Sequence, residues 1–202
     1  MHRRQSGFTL IEILVVVAII ATLAGLVALL IPKGQFKKNQ IACINNCRNI
    51  AALLIVEGKL PPKDGVNMLL WLVKKGDILG ENIKASLFCP GDQVGWEHSG
   101  GLEAYKGSAI DLNRHEYDDL SSYAGRKQLD KACSVSLTSA EPAILVCDQD
   151  EKFHDDKGIC VGMTDGSAKY RDKLADYEKG QDQPLEIGEA SDVEELRCMQ
   201  AD

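Results

Sequence analysis

No catalytic signature stands in this sequence. It has no G-x-S-x-G elbow and no glycine-rich P-loop. The zinc-protease spacing H-E-x-x-H is approached once, at His115-Glu116-Tyr117-Asp118-Asp119. Asp119 stands where the second histidine belongs, and the stretch is not an apolar-faced helix, so it reads as a solvated charge cluster. A Cys–His nucleophile using His98 or His154 would depend on spatial pairing, and no local pattern favours one. A secretory cleavage site is missing too: Ala21 and Ala24 are wrongly spaced for an A-x-A-like site. With 202 residues, the chain has room for one modest domain and an anchor, not for a large enzyme.

What is present is an apolar run. From Phe8 to Ile31 only Thr9, Glu12, Thr22 and Gly25 interrupt it. As a helix rising about 1.5 Å per residue it spans about 35 Å, enough to cross a hydrocarbon core of about 30 Å. It is also longer than the apolar core of an ordinary signal peptide. Flanking charge does not orient it, because Arg3 and Arg4 precede it while Lys33, Lys37 and Lys38 follow. Glu12 is the anomaly. A carboxylate within a bilayer costs about 2.5 to 3.5 kcal/mol at a helix centre on insertion scales, so it calls for a partner.

A short basic leader MHRRQSG, then FTLIE, then an apolar helix resembles the class III leader of type IV pilins and type II secretion pseudopilins. The resemblance implies cleavage between Gly7 and Phe8 by a membrane-embedded prepilin peptidase, which also N-methylates Phe8. It places the leader in the cytoplasm and the head outside. Cleavage would supply the partner for Glu12, a cationic amine on Phe8 four positions earlier, and opposite charges attract far more strongly in a low-dielectric setting than in water. Helical i, i+4 spacing permits a pairing within one chain. The resemblance instead implies that Glu12 reaches the Phe8 amine of a neighbouring subunit and sets axial register. The plainer alternative leaves Glu12 at the cytoplasmic interface, where solvation lowers its cost.

Beyond the membrane segment, Pro32 removes a backbone donor and clashes with the preceding turn and Gly34 adds freedom, so a kink or local opening is expected there. Ile41, Ile44, Arg48, Ala51 and Ile55 fall at three- and four-residue spacing, an amphipathic face that ends at Gly58 and Pro61-Pro62. VNMLLWLVKK at 66–75 reads as a short core helix stopped by Gly76. SLFCPGD at 86–92 reads as a strand ending in a Pro90-Gly91 turn. A polar span to about Arg126 reads as loops with short elements. AILVC at 143–147, ICVGM at 159–163 and AKYR after Thr164-Asp165-Gly166-Ser167 read as a three-stranded antiparallel piece with a tight Asp-Gly hairpin.

SLFCPGD, SSYA at 121–124 and GMTDGSAKY together resemble prepilin-type heads that end in an F-x-D-G-x-V-like hairpin, although Met163-Thr164 and Ala168 depart from that pattern. The implied architecture is α+β: a cleaved leader at 1–7, a transmembrane half-helix at 8–31, an extracytoplasmic half-helix at 32–58, a head at 59–171 and an acidic segment at 172–202. That last segment holds ten acids against Lys173, Lys179 and Arg197, which accounts for the whole net charge of −7. Such a tail repels anionic surfaces and nucleic acid. It reads as a solvated face, with Val193, Leu196 and Met199 spaced for a short helix; docking to another subunit or to a basic secreted substrate is the sharper alternative.

The seven cysteines leave at least one unpaired within the chain, and an extracytoplasmic head permits disulfides. Cys43 and Cys47 sit one helical turn apart, about 5 to 6 Å between Cβ atoms, too far for a bridge between them. Each is expected to reach a head cysteine among 89, 133, 147, 160 and 198. Asp148, Asp150, Glu151, Asp155 and Asp156 gather hard oxygen ligands in one loop, but Lys152 and Phe153 occupy positions where an EF-hand needs a ligand and a glycine. Calcium at Asp148, Asp150, Asp155 and Asp156 is the candidate metal; otherwise no metal, cofactor or catalytic residue is expected.

The expected function is a non-catalytic subunit of a type II secretion pseudopilus or a type IV pilus-like filament. It would be held in the inner membrane with its head in the periplasm, and assembled with other subunits by a platform and a separate ATPase. The alternative is a membrane-anchored binding module that does not polymerise.

Overall fold

The computed structural model describes residues 9–200 apart from 57, 81, 93–94, 100–104, 106–119 and 181, with backbone alone at 29–33 and 151. Gly7, Phe8 and the 115–119 charge cluster lie outside the described residues. The chain divides into two compact units, Met1–Lys38 and Asn39–Asp202.

Helix α1 runs Leu10–Ile55. Its assignment is continuous past Pro32 and Gly34, so no break in helical structure marks the expected opening; a bend there stays an expectation. In the first unit every residue from Leu10 to Ala28 is exposed. This is the one helix among the described residues long and apolar enough to cross a membrane, at about 28 Å for its 19 residues.

In the second unit the buried stripe of α1 is Gln40, Cys43, Cys47, Ile50, Ala51 and Leu54. The spacing alternates between three and four as expected, and Ala51 is buried with Ile44 and Ile55 packed beside it, but the face is rotated in part: Ile41 is 57% exposed and Arg48 is also exposed. The stripe is built on two cysteines, which pack as small hydrophobes, and this permits close approach. A Cβ on Gly162 would run into the carbonyl of Cys47.

Helix α2, Gly65–Lys75, buries Val66, Met68, Leu69, Leu70 and Leu72. It ends as expected at Gly76, whose left-handed backbone (φ 95°) lets its N–H donate to the carbonyls of Leu72 and Val73. The strand expected at 86–92 is absent: Ser86 and Leu87 close a short helix, α3, Asn82–Leu87, and the residues after it turn. Ile83 and Leu87, four apart, supply its buried face, and helical spacing there overrides the short apolar run. A single turn, α4, follows at Gly95–His98.

The sheet has five antiparallel strands in the order β4-β3-β2-β1-β5. These are β1 Tyr123–Arg126, β2 Ile144–Asp148, β3 Gly158–Met163, β4 Ala168–Asp172 and β5 Met199–Gln200. The expected three-stranded piece is β2-β3-β4. Its Asp-Gly turn closes with Met163 N–H donating to the Ser167 carbonyl at 2.9 Å and Gly166 at φ 77°. Strands β1 and β5 were not anticipated.

β2 up to Cys147 and β3 carry no charged residue, because both faces of the sheet are covered. One face, with Tyr123, Leu145 and Cys160, packs on α1 and α2. The other, with Ala124, Ile144, Cys147, Ile159 and Val161, packs on Leu185, Leu196 and Met199. The acidic C-terminal stretch is therefore a structural cover and not a wholly solvated face. It contains α5 Lys173–Tyr177, α6 Glu194–Arg197 and β5. Several of its exposed acids meet cations, with Asp192 2.6 Å from Lys179 and Glu189 2.7 Å from Lys127.

Candidate functional site

Two places carry chemistry. The first is the start of α1. The Glu12 carboxylate accepts the Thr9 backbone N–H at 2.7 Å and the Thr9 hydroxyl at 2.8 Å, while the Glu12 N–H faces the Thr9 Oγ1 at 3.4 Å. This is a capping box, T-x-x-E, in which two otherwise orphaned donors at a helix start are satisfied reciprocally. Sequence reasoning looked for a charge partner for Glu12 and passed over the nearer polar one, although the T-x-x-E spacing is itself a helix-start signal. Glu12 is thereby held at the N-terminal turn, where the positive end of the helix dipole also favours an anion.

The second place is buried in the head. Cys43 of α1 is disulfide-bonded to Cys89, with Cα atoms 5.5 Å apart; Cys133 is bonded to Cys198, with Cα atoms 5.1 Å apart. The first bond ties α1 to the CPGD turn, as expected for Cys43. The second ties β5 to the loop after β1. Cys47 forms no such tie and is free and buried, as are Cys147 and Cys160, so the expectation that Cys47 also reaches a head cysteine is corrected. The Cys47 carbonyl, and not its thiol, is what faces the sheet at Gly162.

Around Cys89 lie His154, whose Nε2 is 3.8 Å from Cys89 Sγ, 3.4 Å from Cys160 Sγ and 3.0 Å from Asp148 Oδ2. The Cys160 N–H donates to the same Asp148 oxygen at 2.6 Å. Tyr123, fully buried, donates its hydroxyl to Cys43 Sγ at 3.5 Å and accepts from Asn46 at 3.1 Å. Burial, and then the neighbouring Asp148 carboxylate, push the Cys160 thiol well above its ordinary range. That is the reverse of an activated nucleophile.

The CPGD turn and the SSYA segment are brought together. Asp92 accepts the Gly95 N–H at 2.8 Å and the Ser122 hydroxyl at 2.6 Å, and Ser121 and Ser122 both donate to the Leu87 carbonyl. A Cβ on Gly91 would collide with the carbonyl of Phe153, so the turn lies directly on the 3₁₀ turn Glu151–His154. The four calcium candidates do not converge. Asp148 is wholly buried; Asp155 and Asp156 are exposed, and Asp150 and Asp155 face Lys152 and Lys157 at 3.3 and 3.8 Å.

With these geometries in hand, the chain can be set beside known families. Residues 2–28 match the prokaryotic N-terminal methylation motif. This is the type IV pilin and pseudopilin signature, and it covers the basic stretch from His2, the capping box and all of the exposed apolar segment Leu10–Ala28. It implies processing by a prepilin peptidase and assembly with other pilin subunits. No curated protein and no solved structure matches the chain.

Proposed function

We propose that the chain is a non-catalytic subunit of a type II secretion pseudopilus or a type IV pilus-like filament, cut between Gly7 and Phe8, methylated on Phe8 and polymerised through α1. The observation that carries this reading is the methylation motif running directly into a 19-residue apolar helix with no residue buried within the protein. An apolar surface of that extent needs lipid or other copies of itself. In the membrane the helix serves as a single anchor with the head in the periplasm; in the filament, neighbouring helices would cover it. The prepilin peptidase, an inner-membrane platform and a separate ATPase are the partners this role requires.

Glu12 supports the reading because its hydrogen-bond partner among the described residues is the neutral Thr9 of the capping box, and cleavage would create an amine at Phe8 to meet its charge. A buried, protonated Cys160 beside His154 is poor material for catalysis. The second reading, an unpolymerised binding module, draws on a groove lined by Asn46, Lys84, Phe88, Asp92, Trp96 and Glu97. The two separate cleanly with Glu12→Ala in cells that hold a prepilin peptidase and its assembly machinery. The filament reading expects normal cleavage and loss of sheared filaments, whereas the module reading expects an intact Met1 and no effect of the substitution.

A further inference from the structure

We propose that Cys43, Cys89, Asp148 and His154 form a buried binding site for a thiophilic divalent cation, with Zn²⁺ as its natural type, whenever the Cys43–Cys89 disulfide is open. One ligand atom from each of the four lies within 4.8 Å of every other, and all four residues are buried. They arrive from four different places: α1, the turn after α3, the end of β2 and the 3₁₀ turn before β3. No C-x₂-C spacing announces them, which is why the sequence pattern is silent.

Two sulfurs, one imidazole nitrogen and one carboxylate oxygen are four donors of types that zinc binds, the number that fills its tetrahedral shell. Bond lengths of about 2.0 to 2.3 Å imply tetrahedral edges of roughly 3.4 Å between nitrogen and oxygen and roughly 3.6 Å between sulfur and nitrogen. The observed separations are 3.0 Å for Asp148 Oδ2 to His154 Nε2 and 3.8 Å for Cys89 Sγ to His154 Nε2. Both are within half an ångström of what a bound ion requires. The two sulfurs are bonded to each other in this structure; reduction separates them and lets each turn about its side-chain bonds.

The Asp148 carboxylate is not fully used by the protein. Asp148 has no solvent exposure, yet its Oδ1 has no hydrogen-bond partner among the described residues. Wholly buried polar atoms are normally satisfied, so this carboxylate keeps acceptor capacity that no described group takes up. Oδ2, the oxygen that faces His154 Nε2, also accepts the Cys160 N–H, which holds the ligand group in place, as partners of metal ligands do. The framework is rigid as well, since Gly91 abuts Phe153 and Asp92 is pinned to Ser122.

The chemistry balances without an external reductant, because a newly made chain carries both cysteines as thiols. Binding converts two thiols and Zn²⁺ into a dithiolate complex and releases two protons to solvent. A disulfide-bearing oxidant then takes two electrons from the thiolates, its own sulfurs leave as thiols, the Cys43–Cys89 bond forms and the cation departs. In both states α1 stays tied to the head.

The test uses the full chain in detergent, reduced and stripped of metal, with Co²⁺ as the optical probe. The expected result is one equivalent of Co²⁺ per chain with a thiolate-to-cobalt absorption band. One equivalent of Zn²⁺ should bleach the band and raise the Tm, and Ca²⁺ should leave the Tm unchanged. Cys89→Ser and His154→Gln should lose the band, Cys133→Ser should keep it, and the oxidised wild-type chain should bind none. A reduced wild-type chain with native far-UV circular dichroism but no thiolate–cobalt band overturns the proposal. So does equal binding by oxidised and reduced wild type, a comparison that needs no variant to fold.

Discussion

The carboxylate of Glu12 holds both the backbone N–H and the hydroxyl of Thr9, at 2.7 and 2.8 Å. One side chain thus closes the first turn of α1 and places a negative charge at its start. Glu12→Gln keeps a cap acceptor and removes the charge, while Thr9→Val removes the hydroxyl and keeps the charge. Charged hydrogen-bonded partners are worth about 1.5 to 3 kcal/mol, and each 1.4 kcal/mol is tenfold. Glu12→Gln is therefore expected to lower sheared-filament yield by roughly tenfold or more with cleavage unaffected. Thr9→Val should cost about 1 kcal/mol at the helix start, read as faster hydrogen exchange in the first turn, with filaments still formed.

The acidic C-terminal stretch is expected to behave as part of the core. Leu196 is fully buried against the sheet face that carries Ile144, Ile159 and Val161. Leu196→Ala should destabilise the protein by about 2 to 5 kcal/mol in urea unfolding. A solvated tail would give a change within about 0.5 kcal/mol.

The sequence revealed most where a local rule and the tertiary context agree. Gly76 stops α2 because a left-handed residue is needed there, and the Asp165-Gly166 pair makes the β3–β4 turn; both follow from backbone sterics alone. Segment 86–92 was misread as a strand because so short an apolar run does not separate strand from the end of a helix. The rotated face of α1 was missed because Cys43 and Cys47 were weighed as disulfide candidates, not as the small hydrophobes that set the packing. The Cys–His–Asp cluster could not be seen at all, since its members are separated by up to 111 positions along the chain, from Cys43 to His154. One clue to the covered sheet was present: β2 and β3 read as continuous apolar runs and do not alternate, as strands buried on both faces do.

Close approach of α1 to the sheet gives a prediction of unusual sign. Alanine ordinarily stabilises a position relative to glycine, yet a Cβ on Gly162 would meet the Cys47 carbonyl and a Val146 methyl. Gly162→Ala should destabilise by about 1 to 3 kcal/mol, as overpacking does. At Gly180, with open space around it, the same change should stay within about 0.5 kcal/mol. Paired thermal melts of the two variants check it.

Cysteine pairing is checked by counting. In the oxidised, metal-free protein, alkylation after denaturation without reductant should label three thiols, Cys47, Cys147 and Cys160. Brief labelling of the native protein should reach few of them, because all three are buried. Five labelled thiols in the denatured oxidised sample would contradict one of the two bonds, and peptide mapping would show which.

The account rests on removal of the leader, and intact-mass analysis of the full chain produced beside an active prepilin peptidase tests that most directly. The predicted product begins at Phe8, lacks residues 1–7 and carries one added methyl group on its terminal amine. A product that still begins at Met1 while a known substrate is processed in the same cells would contradict it.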